Sequence, residues 1–101
     1  MEMTVPLFAS QIKGTAADIA AVYAAAYTGP VVTAVPGGDE EGFLSAAAMA
    51  GTDGMTVSVF GNEERILLTA RYDNLGKGAS GAALECMNLA FGWEETKGLI
   101  L

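Results

Sequence analysis

The stretch of this 101-residue chain whose residue types and spacing could do chemistry is Gly76-Lys77-Gly78-Ala79-Ser80-Gly81. Upstream, Arg65 to Tyr72 alternates as a strand does, with Ile66, Leu68, Ala70 and Tyr72 on one face and Leu67, Thr69 and Arg71 on the other. Downstream, Ala79, Ala83, Cys86, Met87 and Ala90 keep helical spacing up to Gly92. A strand thus feeds a glycine-rich turn, and the turn feeds a helix N-terminus. Such a corner aims backbone N–H groups and the positive end of a helix dipole at one point, which suits a phosphate or an amide carbonyl. The glycines fit G-x-G-x-x-G, the spacing of dinucleotide-binding turns. That motif also needs a second parallel strand ending in an acidic residue, and only Leu99-Ile100-Leu101 remains to supply one. Glu94 and Glu95 fall in a turn. A self-contained dinucleotide fold does not fit. Nor is this a P-loop, because Lys77 lies between the first two glycines and not after the last.

Other reactive groups are scarce. The chain has no histidine and one cysteine, Cys86, set inside the last helix on the apolar stripe with Ala83, Met87 and Ala90. A reactive thiol wants a cationic neighbour or a helix N-terminus, so Cys86 reads as inert filling and no catalytic residue is assigned. Asp39, Glu40 and Glu41 are hard-cation ligands by type, but three adjacent acids rarely converge on one ion. They read as a solvated loop, and no metal site is expected. Tyr23 and Tyr27 fall one helical turn apart and read as packing residues.

The elements that must position the corner follow from hydrophobic period. Met1 to Phe8 alternates as a strand, with Met3, Val5 and Leu7 on one face and Pro6 suited only to an edge or bulge. A strand opening on the first residue is what a cut from a longer protein would leave. Thr15 caps a helix with Asp18 as capping-box partner, and Ile19, Val22, Tyr23, Ala26 and Tyr27 form its stripe. Gly29-Pro30 ends it. Val31 to Val35 is a second strand, Pro36 to Gly42 a loop, and Phe43 to Ala50 a helical turn or two. After a turn at Gly51-Thr52-Asp53-Gly54, Met55 to Phe60 and Arg65 to Tyr72 make a hairpin. The order β-α-β-loop-β-β-α implies an α+β fold, a mixed or antiparallel sheet with helices packed on one face, as a single domain over residues 1–101.

Composition sets the outer limits. Hydrophobic residues make up 51% and charged ones 17%, a globular balance and not a disordered one. A net charge of −7 with five Lys and Arg cannot neutralise a run of phosphates or dock on an anionic bilayer, so neither nucleic acid nor membrane is expected as a partner. One cysteine forms no internal disulfide and no secretory signal opens the chain, so it reads as cytoplasmic.

The run Asp73-Asn74-Leu75-Gly76-Lys77-Gly78-Ala79-Ser80-Gly81-Ala82-Ala83, followed by Met87-Asn88-Leu89 and Phe91-Gly92, resembles the C-terminal end of the N-acetyl-gamma-glutamyl-phosphate reductases. Phe60-Gly61-Asn62-Glu63-Glu64 is similar to their shorter-chain, type 2 branch. Aspartate-semialdehyde dehydrogenases carry a similar Asp-Asn-Leu-x-Lys-Gly-Ala run. The likeness is sharp from Gly51 to Gly92, looser but collinear from Met3 to Val35, and covers the last third or so of such an enzyme. Glu85-Cys86 departs from it, since the family more often has amide side chains there. The resemblance implies an NADP-dependent reductase of arginine biosynthesis whose catalytic cysteine and histidine lie upstream, in sequence this chain lacks, and a missing N-terminal cofactor-binding domain as partner. This chain alone would be inactive. It would supply a dimerisation surface, as part of a homo-oligomer, and part of the nicotinamide site: Asn74 on the carboxamide, with Lys77 and Gly78 beside the cofactor or substrate phosphate. The other readings are a stand-alone dimerising module without catalysis and a small nucleotide binder using the Gly76–Gly81 turn.

Overall fold

The computed structural model describes residues 1–101 as an α+β unit. In chain order the elements are β1 (Glu2–Phe8), α1 (Ala16–Ala26), β2 (Val32–Ala34), β3 (Met55–Gly61), β4 (Arg65–Tyr72) and α2 (Gly81–Ala90). The strands form one mixed sheet in the order β1-β4-β3-β2, antiparallel except for the parallel pair β2 and β3. The β3–β4 hairpin is set by local chemistry. Asn62 Oδ1 accepts from the amides of Glu64 and Arg65, both at 2.9 Å. Gly61, at φ +144°, has no room for a side chain, since a Cβ would sit 2.3 Å from the Arg65 carbonyl oxygen.

The capping box of α1 forms as its sequence implies. Thr15 N donates to Asp18 Oδ2 at 2.7 Å and Asp18 N donates to Thr15 Oγ1 at 3.2 Å. At the sheet edge, Tyr72 N donates to Met1 O and Ala9 N to Glu64 O, so odd-numbered residues of β1 turn their hydrogen bonds toward β4. Pro6 therefore sits with its missing N–H on the free side, where it costs no ladder bond. The helical turn or two expected over Phe43–Ala50 takes the form of separate i→i+3 turns and not a continuous helix. Ala48, Ala50 and Thr52 donate to Ser45, Ala47 and Met49, a string of tight turns. The small residues there offer no apolar stripe to hold a helix against the sheet.

The strand register puts Ala34, Val57, Val59, Ile66, Leu68 and Ala70 on one face together with Met3 and Val5. Helix α1 lies over the β2–β3 part of that face, with Ala20, Tyr23 and Ala24 opposite Ala34, Val57 and Val59. The β1 part has no helix above it, and Met3 stays 49% exposed. On the other face the connection after β2 covers Ser58, whose Oγ donates to Val35 O at 2.8 Å.

Little of this is interior. Ten of 101 residues are buried, and only Val31, Val57, Ile66 and Ala70 among them are apolar core. The radius of gyration is 14.7 Å, against ~13 Å for a compact chain of this length. No helix is long and apolar enough to cross a membrane. With so small a core, each contact counts. Truncating Ile66, 1% exposed, should lower the unfolding free energy by about 2–4 kcal/mol in urea, whereas Val22→Ala on the exposed side of α1 should change it by less than ~0.5 kcal/mol.

Candidate functional site

Tyr72 ends β4, and the next nine residues make the corner. Gly76–Ser80 forms one wide, π-helical turn before α2 begins at Gly81. Gly78 N donates to Asp73 O at 2.9 Å, Ser80 N to Leu75 O at 3.1 Å, and Gly81 N to Gly76 O. The Asp73 carboxylate takes three more amides: Gly51 at 2.6 Å on Oδ2, and Leu75 at 2.7 Å and Gly76 at 3.2 Å on Oδ1. These amides, led by Gly51, hold the Asp73 carboxyl below the usual carboxylate range, against a smaller opposing effect of desolvation.

Most of the amides expected to converge on an outside phosphate or amide carbonyl are therefore taken within the chain. A charged carboxylate already sits among them, and the turn is closed by its own backbone bonds.

The corner leans on the Gly51–Gly54 turn at closer range than any side chain permits. A Cβ on Gly76 would lie 2.1 Å from Thr52 O, and one on Gly81 would lie 2.3 Å from Asp53 Oδ1. These glycines serve packing. Asp53 in turn holds the C-terminal tail: its amide donates to Ile100 O at 2.6 Å, and its Oδ2 accepts from Ile100 N at 2.9 Å. Asn88, 1% exposed, fixes the segment between, its Nδ2 donating to Glu95 O at 2.9 Å and Lys97 O at 2.8 Å.

Three residues singled out from sequence meet different fates. Asn74 is exposed, and its side chain makes no hydrogen bond within the chain. The capping role open to it falls to Asp73, one residue earlier. Lys77 pairs with Glu85 Oε2, and both side chains are about 85% covered (15% and 14% exposed). Its charge is therefore neutralised locally by the residue at which the chain departs from the family pattern. Gly78 has its N–H committed to Asp73 O, and a Cβ there would press on the Tyr72 ring at 3.3 Å. Lys77 and Gly78 lie near Asn74 along the chain, with the Lys77 ammonium committed to Glu85 and the Gly78 N–H to Asp73 O.

Helix α2 turns a different side inward from the one its apolar period suggests. The covered positions are Gly81, Leu84, Glu85 and Asn88, whereas Ala83, Cys86, Met87 and Ala90 face out. The close approach at Gly81, the Lys77–Glu85 pair and the bonds of Asn88 decide the rotation. Cys86 is thus an exposed thiol without a cationic neighbour. Sequence reasoning passed over Asp73, although an aspartate two and three residues before turn amides is a recognisable Asx-turn signal, and over Asp53, whose bond to Ile100 N has no local signal.

The chain is similar to N-acetyl-gamma-glutamyl-phosphate reductases. It is 42% identical over 99 residues to those of Brucella ovis, Brucella canis and Brucella suis (biovar 1), a match covering 91% of this chain and 32% of each relative. The resemblance carried by the Asp73–Gly81 run is thereby borne out along nearly the whole sequence. The chain spans about a third of the length of the reductases it matches. No family model matches it.

Two outcomes test this geometry. Gly81→Ala should cost about 1–3 kcal/mol of stability and remove hydrogen-exchange protection from the Ile100 amide, since Asp53 must move aside. The native state favours ionised Asp73, so its contribution is complete above the unfolded value of ~3.9 and is lost as pH falls through the lowered folded value. Asp73→Asn should accordingly flatten the acid side of the stability curve below about pH 4.

Proposed function

We propose that this chain is the C-terminal portion of a cytoplasmic, NADP-dependent reductase that converts N-acetyl-glutamyl phosphate to N-acetyl-glutamate semialdehyde in arginine biosynthesis. The observation that carries the reading is the 42% identity to reductases of that name across 91% of the chain. The nucleophile and proton shuttle come from the rest of the enzyme, since the chain has no histidine and its one thiol, Cys86, is exposed well inside α2 and away from its N-terminus. Alone, it is inactive.

Its own contribution is positional. The cofactor supplies the hydride when bound, and Asn74 offers a donor and an acceptor to the nicotinamide carboxamide at the tip of a rigid turn. Lys77 and Gly78 act from beside it, as parts of the turn that set where Asn74 stands. The thin core supports the same reading. Met87, Leu89 and Phe91 are 42%, 59% and 66% exposed along the outward side of α2 and just beyond it, and Met3 and Val5 are uncovered on the sheet. Apolar surface on this scale marks an interface. The missing cofactor-binding domain and a second subunit of a homo-oligomer are its occupants.

Asn74→Ala in the whole reductase tests the assignment. The residue is exposed and unbonded in the chain, so folding should be unaffected. The kcat/KM for NADPH should fall roughly 10- to 100-fold, the worth of one or two hydrogen bonds to a bound ligand. An unchanged kcat/KM would remove Asn74 from the site.

A further inference from the structure

Resting on the reading of Asn74 as the carboxamide contact, we propose that Asp73 is the built-in anion of this corner, a positioning and specificity-determining residue that makes it take a neutral amide and reject a phosphate. Three amides from two separate segments, those of Gly51, Leu75 and Gly76, close on one carboxylate at 2.6, 2.7 and 3.2 Å. Convergent amides after a strand and before a helix are the elements of a phosphate cradle. Here the chain fills the cradle with its own negative charge. A second anion would meet that carboxylate at close range. It would also find no compensating cation, because Lys77 is paired with Glu85.

Three further amides of the turn, those of Gly78, Ser80 and Gly81, are spent on Asp73 O, Leu75 O and Gly76 O. Among the polar side chains of the tip, that of Asn74 is uncommitted, a group that pairs with a primary amide as donor and acceptor together. Asp73 therefore acts through the backbone. By fixing Leu75 and Gly76 to Gly51 it sets the direction of Asn74, and by occupying these three amides it puts a negative charge where an anion would otherwise be held.

The test is an NMR titration of this chain and of its Asp73→Ala variant. In the wild type, inorganic phosphate should leave the amides of Gly51, Leu75 and Gly76 unmoved. In Asp73→Ala the cradle is open, and acetate should shift those same amides saturably. Acetate should also restore most of the lost melting temperature, relative to chloride at equal ionic strength. Saturable phosphate shifts at these amides in the wild type would overturn the proposal. A folded variant with no local response to acetate would do the same. If the variant does not fold, the wild-type phosphate titration still decides. Nicotinamide provides a separate arm: failure to shift the Asn74 side-chain amide speaks against the carboxamide reading, whereas the phosphate and acetate results bear on Asp73 alone.

Discussion

Three segments far apart in sequence are held together by two aspartates and two absent side chains. Asp73 joins the turn after β4 to Gly51, and Asp53 joins the same turn region to Ile100 near the end of the chain. The bonds reach only because Gly76 lets the Thr52 backbone, and Gly81 the Asp53 side chain, approach at distances that a methyl group would forbid. Charge-assisted hydrogen bonds to backbone amides are about twice as strong as neutral ones, so this cross-tie gives the corner a rigidity that the small hydrophobic core cannot provide. The direction of α2, the placement of the tail and the exposure of Asn74 all follow from it.

The rest of the molecule is arranged as a surface more than as an interior. A sheet with a helix over one end and bare apolar residues at the other satisfies its backbone while leaving much apolar area uncovered. Helix α2 shows the same division: its polar and small residues, Gly81, Glu85 and Asn88, turn inward to the corner, and its apolar stripe turns out. Within a free-standing domain that arrangement would be upside down. Within a longer reductase it is a helix bonded to its own domain on one side and available for packing on the other.

Much of the fold was legible in the sequence, because the period-2 runs at β1, β3 and β4 and the capping box at Thr15 are signals that need no tertiary help. The Asn62 hairpin and the edge position of Pro6 belong to the same class. The Phe43–Ala50 segment forms separate turns because small residues carry helix propensity without an apolar face to anchor a continuous helix, and tight turns need neither. The rotation of α2 was misread. Hydrophobic period alone does not set a helix's rotation, and here polar ties decide which face meets the rest of the chain. The corner itself was located correctly, as were its packing glycines. The bonds of Asp73 to three amides were not legible, because glycine spacing gives no sign of where the aspartate before the turn directs its carboxylate.

The central claim is that these residues work as the last third of a larger protein. It is tested most directly by the intact mass of the native protein in its source cells, detected with an antibody raised against this chain. The account predicts a species about three times the 10.3 kDa of this chain. A native species at 10.3 kDa would contradict it, and would leave the outward apolar surface to self-association.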